Sequence, residues 1–180
     1  KPVDTECTYR FAPVTKNHTI SAQFVPLDTP VSPDDTGVSD YLNTKDHYAY
    51  VSGYPGNWFG PDDFLTRAQA AQIFYGLLND PNIPITAGFS DVPSDAWYAK
   101  AVNTLASLGL VSGVGEDRFL PDQPITRAEF VTMAMGFAHD LSSPDSSFPD
   151  VHPRDWYYEA VLSAADYGWI SRLVSGFLPL

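Results

Sequence analysis

Two short stretches of this chain place an arginine where helix electrostatics disfavour one. Thr66-Arg67-Ala68-Gln69 recurs 60 residues later as Thr126-Arg127-Ala128-Glu129. A threonine followed three residues on by Gln or Glu, ahead of an apolar run, is the pattern of a capping box. Its hydroxyl accepts from the N3 amide, and the N3 side chain reaches back to the N-cap amide. This accounts for Thr66, Gln69, Thr126 and Glu129 but not for the arginines. Position N1 sits at the positive end of the helix dipole, where a cation costs roughly 0.3–1 kcal/mol. Beside open helix amides, an arginine is suited to hold an anion, because its fork can donate two parallel hydrogen bonds to a carboxylate. The competing reading is an internal ion pair with an acid such as Asp91 or Asp150.

Other chemistries find little support. His18, His47, His139 and His152 share no metal-ligand spacing, and Cys7 is the single cysteine, so neither a zinc site nor an intrachain disulfide is expected. The acidic loops lack the spacing of a calcium-binding EF-hand. There is no Gly-x-Ser-x-Gly and no phosphate-binding glycine loop, and no carboxylate pair stands out as a glycosidase dyad. No cofactor is implied, and no catalytic residue is assigned. The formal net charge of −12 opposes general binding to nucleic acid. No apolar run approaches the roughly 20 residues of a membrane span, so membrane insertion is not expected. The chain opens on Lys1 and reads as a piece of something longer.

The elements that would carry the arginines form a repeat of about 60 residues. Val51-Ser52-Gly53 matches Val111-Ser112-Gly113, and Phe59, Pro61 and Asp62 match Phe119, Pro121 and Asp122. Phe89-Ser90-Asp91-Val92 returns as Phe148-Pro149-Asp150-Val151, Trp97-Tyr98 as Trp156-Tyr157, and Gly109 as Gly168. Apolar residues at helical spacing predict helices over 66–78, 95–108, 126–141 and 155–167. Within residues 1–26, Tyr9 and Phe11 alternate with polar residues and Thr19 to Val25 alternate with period two, so the stretch reads as a short β segment, the tail of a preceding β-module or an isolated hairpin. Residues 27–41, rich in Pro and Asp, read as a linker. The units then span 42–82, with the first helix shortened or absent, 89–141, complete, and 148–180, which lacks a third Thr-Arg-Ala-Glu and reads as truncated. The expected class is mainly α: tandem helix-loop-helix repeats with a short N-terminal β segment.

Phe-x-Asp-Val, Trp-Tyr-x-x-Ala-Val, Leu-Gly-Leu-Val-Ser-Gly, Phe-x-Pro-Asp and Ile-Thr-Arg-Ala-Glu-Phe, in that order across residues 89–140, resemble the S-layer homology (SLH) family. The resemblance covers about 130 residues. It implies a pseudo-threefold helical domain, with the third unit incomplete here, whose inter-unit grooves bind a secondary cell-wall polymer, often through a pyruvylated sugar. The implied role is non-covalent anchoring of a secreted, Gram-positive surface protein to the wall. The implied ligand-binding residues are Arg127 and Arg67 for the acidic sugar, with Asp91 and Asp150 near the groove. Trp97 and Trp156 serve either as core or groove wall or as sugar-stacking faces. The Asp residues have an alternative role as caps or loop staples. Gly53 and Gly113 are expected to allow positive φ or a close backbone approach. Ser52 and Ser112 could offer hydroxyls to a sugar, with a turn role as the alternative. Tyr54, Trp58 and Phe59 crowd the first loop, where an exposed ring would make a sugar platform. The alternative function is a structural, self-assembling module in which a neighbouring chain completes the third unit.

Overall fold

The computed structural model describes residues 31–46, 49–139 and 147–170. The expected β segment at 1–26 and the end of the third unit at 171–180 lie outside the described residues. The described part is mainly α. It comprises α1 (Pro33–Thr36), a 3-10 turn (Val38–Asp40), α2 (Arg67–Gly76), α3 (Ala99–Ser107), α4 (Arg127–Met135) and α5 (Tyr158–Asp166). Among these residues β pairing is confined to isolated bridges, Leu42 with Leu78, Tyr54 with Trp58, and Thr66 with Pro124.

Local chemistry sets the helix ends. Both expected capping boxes form: Gln69 N donates to Thr66 Oγ1 while Thr66 N donates to Gln69 Oε1, and Thr126 with Glu129 does the same. The helices α3 and α5 stop in one way. Gly109 and Gly168 take left-handed φ of 73° and 74°. In each case the glycine amide and the next amide turn back onto the last turn, Leu110 N to Leu105 O at 2.9 Å and Trp169 N to Ala164 O at 2.9 Å. Only a residue without a Cβ adopts this stop at no steric cost.

The helices start later than periodicity suggests. Residues 95–98 and 155–157 are turns, so Trp97 and Trp156 precede α3 and α5. Both indoles stand exposed, edge-on to the next tyrosine at 5.2 Å. Tyr98 goes into the core in place of Trp97.

α2 packs on α3, and α4 on α5. One core joins Ala70, Ala71, Phe74, Val102, Leu105, Phe119 and Phe137, with Phe74 stacked on Phe137 at 5.0 Å. A smaller cluster joins Val131, Met135, Val161, Ala164 and Tyr167. Residues 31–43, most of which fall in the stretch expected to be linker, run across both. Val31 N donates to Tyr167 O, His139 N to Thr36 O, Asn43 N to Leu77 O and Asn79 N to Tyr41 O, all at 2.8–2.9 Å. Thr36, within this strap, is fully buried. The segment is therefore folded against the ends of α2, α4 and α5, held mainly through its backbone, which composition does not reveal.

Candidate functional site

The N-terminus of α2 is docked against the loop before α4. Arg67 N donates to Gln123 O and Ala68 N to Pro121 O, both at 2.9 Å. The first amides of α2, which would otherwise be open to an anion, are thus filled. The Arg67 side chain turns inward with them and is 5% exposed. Its Nε donates to Phe119 O at 2.7 Å, Nη1 to Glu129 Oε1 at 3.0 Å and Nη2 to Ser112 O at 3.3 Å. The guanidinium also lies over the Phe119 ring, 4.7 Å from its centroid. Cation–π contact and three acceptors outweigh the dipole penalty at N1.

Arg67 therefore makes an internal ion pair, but the acid is Glu129 and not Asp91 or Asp150. Glu129 also closes its own capping box, with Oε2 accepting from Thr126 N and Thr126 Oγ1 at 2.8 Å each. Burial works against its ionisation. The bonds from Thr126 and the charge of Arg67 outweigh burial and hold the carboxyl below its usual value. Gln69, the counterpart of Glu129 at the α2 cap, donates instead to the Tyr54 hydroxyl at 2.8 Å.

Arg127 has none of this. It is exposed, and among the described residues it makes no hydrogen bond or ion pair. The first amides of α4, those of Arg127 and Ala128, likewise find no acceptor among the described residues.

Asp91 is a loop staple. Its two carboxylate oxygens accept from Phe119 N and Leu120 N, each at 2.8 Å. Burial raises its pKa, but these amide bonds prevail and leave it below the usual carboxylate value. The staple also holds Leu120 in the left-handed region, φ 56°, where the matching residue of the first unit is Gly60, φ 66°. Asp150 is exposed, and the loop it would staple by analogy falls outside the described residues. Gly53 and Gly113 serve close approach: a Cβ would stand 2.6 Å from Trp58 O and from Arg118 O, respectively. Their φ angles are not in the left-handed region.

A groove of about 480 Å³ opens beside Arg67. The loop Leu110–Val114 forms one wall, Glu129, Thr132 and Met133 of α4 another, and Trp156 the third. Of the residues singled out from sequence, Arg67, Ser112, Gly113 and Trp156 meet here. Arg127, Trp97, Asp91, Asp150 and Gly53 do not line it. Ser112 N and Gly113 N have no acceptor among the described residues and so remain available to a ligand. Glu129 as the partner of Arg67, and Thr132 and Met133 as its neighbours on the same helix face, were not singled out from sequence. The spacing of three and four residues from Glu129 is the signal that places them together.

Comparison with known proteins points to one family. A family model described as the S-layer homology domain matches residues 47–71 and 88–131. A "Cellulosome-anchoring protein" of Acetivibrio thermocellus is 36% identical over 102 residues, covering 54% of this chain and 23% of the relative. "Cell surface glycoprotein 1" of the same organism is 40% identical over 145 residues, covering 73% of this chain and 6% of the relative. An "S-layer protein" of Bacillus licheniformis is 33% identical over 98 residues, covering 54% of this chain and 11% of the relative. The chain thus spans less than a quarter of each of these relatives.

Proposed function

The chain belongs to the S-layer homology family, whose relatives are bacterial cell-surface proteins, and on that footing we propose that it anchors its protein to the wall by binding an anionic, pyruvylated polysaccharide. Cell-surface anchoring comes from the family; the pyruvylated ligand and the residues that meet it are the proposed part.

The observation that carries the anionic ligand is Arg127. It is an exposed guanidinium with no partner among the described residues, set beside helix amides that also lack one. A carboxylate arriving there gains a bidentate, charge-assisted contact and the favourable end of the α4 dipole. The groove supports the sugar. The exposed indole of Trp156 offers a flat face, and the amides of Ser112 and Gly113, which have no acceptor among the described residues, offer donors to ring hydroxyls. Arg67 supports the groove from beneath, since each of its guanidinium nitrogens already donates, to Phe119, Ser112 and Glu129. In this reading Arg67 shapes the groove, and Arg127, which lies outside the groove lining, meets the acidic group.

Co-sedimentation with purified wall polymer tests the proposal. Arg127→Ala removes a charge-assisted bond of roughly 1.5–3 kcal/mol and should weaken binding about tenfold to a hundredfold. Chemical removal of pyruvate from the polymer should weaken the wild type equally and the variant no further. Binding indifferent to both changes would discard the anionic ligand.

A further inference from the structure

The first loop of the chain carries large aromatic side chains that stand exposed among the described residues. Trp58 is 72% exposed and Phe64 84% exposed, and Phe59 is exposed beside them. The second unit keeps the ring of Phe59 as the buried Phe119 but builds the same loop without the other two. There Arg118 stands at the place of Trp58 and Pro124 at the place of Phe64. The backbone pairing is nonetheless the same: Tyr54 N donates to Trp58 O at 2.7 Å, and Val114 N to Arg118 O at 2.8 Å. Trp58 and Phe64 are therefore dispensable to the turn, yet both remain in water, which is costly unless something covers them.

The surroundings limit what that can be. From Asp46 to Thr66 the sequence has no lysine or arginine, and Arg67 itself is buried and paired. Asp62 and Asp63 are exposed, and their carboxylates accept no hydrogen bond among the described residues. Asp63 lies beside the Tyr54 ring: a Cβ added at Gly60 would stand 2.3 Å from Asp63 Oδ2 and 2.9 Å from Tyr54 Cε2. The Tyr54 hydroxyl accepts from Gln69 and retains its own proton to donate. The patch thus joins apolar rings to carboxylates without a donor among the described residues, on a segment that carries no lysine or arginine. Such a surface repels polyanions. It suits a ligand with flat C–H faces for the rings and many hydroxyls for the carboxylates.

We propose that residues 54–64 form a second glycan site, separate from the groove, in which Trp58 and Phe64 stack a neutral polysaccharide while Asp62 and Asp63 accept from its hydroxyls. None of these residues lines the groove beside Arg67. The site is independent of the proposed anionic anchor and could hold an uncharged chain while the groove holds the wall polymer.

Affinity electrophoresis of the full chain through gels containing hydroxyethylcellulose, a neutral β-glucan, tests this. Polygalacturonate serves as the anionic comparison. The wild type should be retarded by the neutral glucan and not by the anionic one. Trp58→Arg installs the residue that the second unit tolerates, so the fold should survive while the neutral-glucan affinity falls at least tenfold. Asp62→Asn/Asp63→Asn should reduce it severalfold, and Arg127→Ala and Trp156→Ala should leave it unchanged. Absence of retardation, retardation by polygalacturonate alone, or equal retardation of wild type and Trp58→Arg would overturn the site. Concentration-dependent self-association in the ultracentrifuge that Trp58→Arg abolishes would make the patch a protein contact and would equally overturn it.

Discussion

Arg67 and Arg127 occupy the same place in the same motif and have opposite fates. Each stands directly after a capping threonine, at position N1, and each box closes in the same way. Arg67 is buried, engages every nitrogen of its guanidinium and covers Phe119. Arg127 is exposed and, among the described residues, unpaired. The contacts of Arg67 come from the segment packed against its motif. Against the start of α2 lies the loop 110–124, which supplies the carbonyls of Ser112, Phe119, Pro121 and Gln123. The corresponding loop for α4 lies beyond the described residues. The motif therefore encodes the helix start, while the neighbouring segment supplies the contacts that make Arg67 a joint.

The largest expected break in this comparison is Arg67→Ala. It strands the Glu129 carboxylate and two carbonyls in a low-exposure site, and should cost about 3–5 kcal/mol in urea unfolding. A loss below about 1 kcal/mol would mean the joint is not structural. Next is Gly113→Ala. The new Cβ would meet Arg118 O at 2.6 Å, so it should cost about 1–3 kcal/mol. Gly53→Ala meets Trp58 O at the same distance and should cost a similar amount, unless the exposed first loop yields more easily. Thermal or urea midpoints of the pair would decide. Glu129→Gln makes the second cap resemble the first. It keeps the reach-back to Thr126 but removes the charge facing Arg67, and should cost about 1 kcal/mol. Arg127→Ala is the smallest. It should change stability by no more than about 0.5 kcal/mol, with a slight gain allowed, because a cation leaves the positive end of α4.

Acid sharpens the same contrast. Glu129 and Asp91 both titrate below their ordinary values in the folded chain. Carboxyls depressed in this way bind fewer protons folded than unfolded. Their contribution is fully present at neutral pH and is lost as pH falls below about 4.5 and through the folded values. Urea midpoints should therefore drop on acidification through that window. The drop should be shallower in Arg67→Ala, where Glu129 loses its cation, and unchanged in Arg127→Ala.

The parts legible in the sequence were those written locally. Capping boxes need only residues three apart, and the glycine stops at Gly109 and Gly168 need only their neighbours. The bond between Arg67 and Glu129 was not legible, because it spans 62 residues and each partner already had a sufficient local role. Asp91 and Asp150 were equally plausible acids on charge alone; only the fold turns Asp91 onto the amides of Phe119 and Leu120. Trp97 and Trp156 fall on the apolar stripe of their helices by periodicity. The helices begin after them, so Tyr98 takes the core and the indoles stay out. The strap at 31–43 escaped notice because its buried contacts are made mostly by backbone groups and by Thr36, in a stretch whose Pro and Asp content favours a solvated chain.

The central claim is that one motif serves two purposes, Arg67 as a joint and Arg127 as the wall-binding cation. The most direct test measures, for Arg127→Ala, both the dissociation constant for pyruvylated wall polymer and the urea unfolding midpoint. The expected result is at least tenfold weaker binding with an unchanged midpoint. Wild-type affinity in Arg127→Ala, or a loss of binding that merely tracks a lowered midpoint, would contradict the claim.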